Sequence, residues 1–67
     1  MEKTEHYRGS RLQIYTSHLS TGRISYVVYI DGVHHLSTID GPNETNALDA
    51  GIEAAKRAID ERLAREA

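Results

Sequence analysis

The pair Asp31-Gly32 sits between two arms, Tyr26–Ile30 and Val33–Leu36, that are apolar apart from two adjacent histidines. A two-residue link between antiparallel strands closes best as a type I′ turn, which needs φ > 0 at both central positions. Asp-Gly is among the few dipeptides that accept this, so the pair predicts a hairpin. Its strands run over Arg23–Ile30 and Val33–Ile39, both rich in Val, Ile and Tyr. Upstream, Arg11–Leu19 reads as a further strand. Ser20-Thr21-Gly22 joins it to the next as a three-residue loop, with the glycine in the left-handed conformation. Gly41-Pro42 ends the third strand, because proline cannot donate to a ladder.

One helix follows, from Asn43–Asn46 to about Arg65. Leu48, Ile52, Ala55, Ile59 and Leu63 make one continuous stripe on it. Asn46 with Asp49 resembles a capping box, and Asn43 or Thr45 are rival caps. The expected architecture is α+β: a three-stranded antiparallel meander with the C-terminal helix packed on one face, in the order βββα. Residues 1–10 read as a flexible N-terminal tail and 11–67 as one domain.

Register assigns the faces. With a Ser20–Gly22 loop, Leu12 faces Ile30, Ile14 faces Val28 and Thr16 faces Tyr26 across the first two strands. Neighbours alternate, so Leu12, Ile14, Ile24, Tyr26, Val28 and Ile30 share the face given to the helix. A two-residue Asp31-Gly32 turn then leaves three rows on the outer face: Gln13–Tyr29–His34, Tyr15–Val27–Leu36 and Ser17–Ser25–Thr38. A three-residue Ile30–Gly32 loop would instead turn Leu36 inward and His35 outward. Under the first register an apolar row stands on the outside, with no chain left to cover it.

Composition narrows the function. The chain has 67 residues and no cysteine, so disulfides and thiolate metal sites are excluded. A domain of this size is marginal without help, and oligomerisation is one remedy. No run is long and apolar enough to span a membrane, and the polar MEKTEH start suggests no secretion leader. The expected compartment is the cytoplasm. Net charge is −2, and there is no Lys or Arg between Arg23 and Lys56. The strands in that interval lack the cations that phosphate binding requires.

His34 and His35 are adjacent on a strand, so alternation points them to opposite faces and they cannot share a metal. No metal site, cofactor or catalytic residue is expected, since no nucleophile has both a base and an orienting acid. Tyr7-Arg8-Gly9, followed by three strands and NALDAGIEAAKRAID, resembles the plant AP2-type DNA-binding domain. That family lays its sheet in the major groove, and the resemblance would make Arg8, Arg11 and Arg23 the nucleic-acid contacts. The family's strand tryptophans are absent here. The βββα order ending in ETNALDAGIEAAKRAID also resembles the HicB-type antitoxin fold and some small uncharacterised bacterial proteins. The expected function is a non-enzymatic protein-interaction module whose partner is itself or another protein. It would act through the outer face (Gln13, Tyr15, Val27, Tyr29, His34, Leu36, Thr38) or through an edge strand. Nucleic-acid binding by the same sheet is the alternative.

Overall fold

A computed structural model describes residues 1–41 and 43–66. The stop assigned to Pro42 lies outside the described residues, as does Ala67. The fold is α+β, with one antiparallel sheet in the order β1-β2-β3-β4 and one C-terminal helix. The strands are β1 Glu2–Tyr7, β2 Ser10–His18, β3 Ile24–Ile30 and β4 Val33–Asp40, and α1 runs Glu44–Glu66.

The sheet therefore has four strands rather than three, and the expected tail supplies the extra one. β1 pairs with β2 from Glu2↔Tyr15 to Tyr7↔Ser10. Arg8 and Gly9 both have positive φ, 50° and 86°, so β1–β2 closes in a two-residue turn like that at Asp31-Gly32. Hydrophobic patterning could not show β1, because its inward residues are Lys3, Glu5 and Tyr7. They are held by polar partners on α1. Lys3 lies 4.0 Å from Asp49, Lys56 lies 3.8 Å from Glu5, and the Tyr7 hydroxyl donates to Asp60 at 2.9 Å. The strand rests on ladder bonds, on cross-element polar contacts and on Tyr7, which packs against the core.

The β2–β3 register is the expected one, from Leu12↔Ile30 to His18↔Ile24, with Gly22 left-handed at φ 84°. The Asp31-Gly32 link is also the expected two-residue turn, with φ values of 52° and 80° and Ile30↔Val33 paired. The row Gln13–Tyr29–His34 also holds, but the two rows expected at Leu36 and Thr38 fail on β4. Tyr29 pairs with His34, but Val28 pairs with Leu36, so His35 is an extra residue in a β-bulge. One inserted residue reverses every face that follows, since the side-chain period is two. Leu36 and Thr38 move to the helix side, and Ser37 and Ile39 take the outer positions opposite Val27 and Ser25.

Leu12, Ile14, Ile24, Val28 and Ile59 are all at most 1% exposed and centre the core with Tyr26, Leu48 and Ile52. Each contributes roughly 1.5–3 kcal/mol by leaving water, as an upper value. Asn43 caps α1: its Oδ1 accepts the Asn46 N–H at 3.1 Å. Midway along the stripe Gly51 is buried, and a Cβ there would stand 2.9 Å from both γ carbons of Ile14. Its missing side chain lets the helix lie close on the sheet.

Candidate functional site

Two surfaces remain once the core is accounted for. The first is the outer sheet face. Here β2 presents Gln13, Tyr15 and Ser17, β3 presents Ser25, Val27 and Tyr29, and β4 presents His34, Ser37 and Ile39. None of these nine carries a fixed charge; on the same face Arg11 stands at the start of β2, and β1 adds Glu2 opposite Tyr15, Thr4 opposite Gln13 and His6 opposite Arg11. Tyr15 and Tyr29 meet edge to face, with ring centroids 5.7 Å apart, and Tyr29 meets the His34 ring at 5.8 Å. The His34 Nε2 and the Ser37 hydroxyl share a 2.9 Å hydrogen bond, which fixes the ring against the sheet. Gln13, Tyr15, Val27, Tyr29 and Gly32 border a shallow hollow of about 450 Å³. Tyr15 is 38% exposed and Ile39 54%.

Of the seven residues expected to form this face, Gln13, Tyr15, Val27, Tyr29 and His34 share it, and Leu36 and Thr38 do not. Ile39 takes their place, reached by the bulge that sequence reasoning did not foresee. Of the two registers open in the sequence, only the one with a three-residue loop turns Leu36 inward, and the chain reaches that arrangement by a bulge instead.

The second surface is a groove of about 400 Å³ between β4 and the C-terminal half of α1. Ile30, Val33, Ala58 and Ile59 line it with apolar atoms, and Arg62, Arg65, His34 and His35 border it. The bulge suspends strict alternation, so both histidines reach this border while the His34 ring also contacts Tyr29. Among the described residues, no three His, Asp or Glu side chains gather as a metal would need.

The strongest polar clusters elsewhere are structural. Asp60 accepts the Arg8 guanidinium at 2.9 Å and the Tyr7 hydroxyl. The Arg8 bond, then the Tyr7 bond, holds its carboxyl below the usual carboxylate range, and the Tyr7 hydroxyl is pushed up by the same contact. Glu44, in the first turn of α1, accepts from the Thr16 hydroxyl at 2.9 Å and from His18, and lies 3.7 Å from the N-terminal amine. These contacts, Thr16 first, lower its carboxyl. Asp31 Oδ1 accepts the Arg11 N–H at 2.9 Å, and that bond lowers its carboxyl too.

The three arginines named for nucleic acid do not converge. Arg8 is tied to Asp60 in the β1–β2 turn, and Arg23 donates to the Asp40 carbonyl at the far end of β3. Arg11 pairs with His6 at the start of β2. The Arg11 and Arg23 positions lie about 26 Å apart along the sheet at ~3.3 Å per residue.

No known protein family, curated protein or solved structure matches the chain. Among the described residues no helix is long and apolar enough to cross a membrane.

Proposed function

We propose that the protein is a non-enzymatic interaction module that self-associates through the outer sheet face. One observation carries the reading: nine outer positions on three strands are free of fixed charge, centred on two half-exposed tyrosines and Val27. An aromatic centre with a polar rim and few charges is how the core of a protein interface differs from ordinary surface. Phosphate recognition asks for the reverse, clustered cations. A two-fold pairing of this face would stack two four-stranded sheets about 10 Å apart, with α1 of each copy on the outside. It would also give a small domain the second layer that its own chain supplies on one side only.

The test is sedimentation equilibrium of the full chain from micromolar to near-millimolar concentration, beside Val27→Lys. Val27 lies at the centre of the face, so a buried lysine there would oppose pairing while leaving the core untouched. The expected result is a monomer–dimer equilibrium that Val27→Lys shifts to monomer with unchanged circular dichroism. A strictly monomeric parent chain, or a dimer indifferent to Val27→Lys, would remove this reading.

A further inference from the structure

The second surface is independent of the first. A sheet of four strands has two edges, and they differ in how they are defended. Natural edges are blunted by charged side chains, above all inward-pointing ones, and by bulges. β1 carries Lys3 and Glu5 on the helix side and Glu2 at its start. Any strand added there would bury those charges. β4 carries one charged side chain, Asp40 at its last position, and none from Val33 to Ile39. Its bulge at His34-His35 twists only its first part, leaving Leu36–Ile39 regular. The helix lies over β1, β2 and β3, so the helix-side face of β4 is largely bare: Val33 is 69% exposed and Thr38 is exposed.

The groove beside that bare face has a sign. Arg62 and Arg65 stand on its helix wall, and Asp31 is its one carboxylate. Asp31 is already engaged by the Arg11 N–H, and Arg62 helps to hold it ionised. Among the described residues neither Arg62 nor Arg65 has a carboxylate within ion-pair distance. The C-terminus of α1 adds about half a negative charge and ionised Asp31 one more, which two guanidiniums together still exceed. This is a cationic, apolar-floored groove on a chain whose net charge is −2.

We infer that β4 accepts an extended acidic segment of a partner protein as a fifth strand, with the α1–β4 groove reading its side chains. Main-chain bonds to β4 would supply affinity and alternate side chains the specificity, as in other strand-addition sites. Inward side chains of the added strand recur every second residue. The one beside Val33 lies at the groove with Arg62 and Arg65 and is Asp or Glu, because a carboxylate takes a guanidinium in paired hydrogen bonds. The inward residue two along lies beside Leu36, level with Val28, and is apolar. The partner's sequence signature is an acidic and an apolar residue separated by one position, in a segment without proline.

The experiment titrates the ¹⁵N-labelled full chain with two blocked heptapeptides of threonine, one carrying a central glutamate with a valine two positions on and the other a lysine in place of that glutamate. The glutamate peptide is expected to shift the Leu36–Asp40 amides and the Arg62 and Arg65 Nε signals, and to bind at least about tenfold tighter than the lysine peptide. Its binding should weaken as salt rises, because the pairs are near the surface. Arg62→Glu with Arg65→Glu should invert the preference. Both residues are exposed, and circular dichroism of the double variant checks that the fold is kept. Three results would overturn the inference: no shift along β4 with either peptide, equal binding of both, or β4 shifts that follow the chain's own concentration without peptide. The last would make the occupant a second copy. The outer face is read separately, at the Tyr15, Val27 and Tyr29 amides, so either surface can fail while the other stands.

Discussion

Gly51→Ala tests whether the close approach of helix and sheet is set by the absence of one methyl group. On propensity alone the change should help. Gly inside a helix costs about 1 kcal/mol relative to Ala, so an exposed position would gain that much. Gly51 is buried, however, and the new Cβ would stand 2.9 Å from Ile14 Cγ1 and Cγ2 and 3.4 Å from Tyr26 Cδ2. Carbon atoms rest about 3.5–4.0 Å apart, so roughly 0.6 Å or more must be found. Ile14 cannot swing away, because both γ carbons belong to a β-branched side chain with no exposed surface. Overpacking of this kind costs about 1–3 kcal/mol. The net expectation is a loss of about 1 kcal/mol, within a range of ~0–2 once the propensity gain is subtracted. In a domain of this size that lowers Tm by about 4–8 °C. Urea and thermal unfolding of Gly51→Ala, Ile14→Leu and the double variant give the assay. Leucine removes one of the two γ carbons, so the cost of Gly51→Ala should shrink in that background, a coupling that independent sites do not show. A Gly51→Ala chain with a higher Tm than the parent, or strictly additive effects, would refute the reasoning.

Leu36→Ala should destabilise by about 1–2 kcal/mol, half the range for a fully buried leucine, while Ile39→Ala should cost under about 1 kcal/mol. The opposite ranking by urea unfolding would place Leu36 outside and remove the bulge. Asn43→Ala should cost about 1 kcal/mol through the lost cap, read in the same assay. Acid stability follows from the lowered carboxyls of Glu44, Asp60 and Asp31. Each folded value lies below the unfolded one, so their stabilisation is full above the ordinary carboxylate range and fades as pH falls through the lowered values. Stability should be flat above about pH 5 and decline below about pH 4, and Glu44→Gln with Asp60→Asn should flatten that decline. A double variant with the parent's acid limb in pH-dependent unfolding would show that these contacts carry no linkage.

Local chemistry determined the parts of this fold that rest on apolar period and turn residues. Asp31-Gly32 determined a two-residue turn, Ser20–Gly22 a longer loop, and the Leu48–Ile59 stripe a helix with one buried face. Those signals are written in neighbouring residues, because turn dihedrals and side-chain periods act over a few positions. Three features were decided only in three dimensions. β1 is a strand because Asp49, Lys56 and Asp60 on the helix, some 50 residues away, meet Lys3, Glu5 and Tyr7, with 53 positions separating Tyr7 from Asp60. The bulge at His34-His35 exists because it buries part of Leu36 against the core, at the price of exposing Ile39. The same single-residue shift changed the outer face and left β4 with a bare inner side. Faces alternate every residue, so one unpaired residue is enough to exchange them. Nothing local in VHHLSTI shows which residue the sheet will leave unpaired.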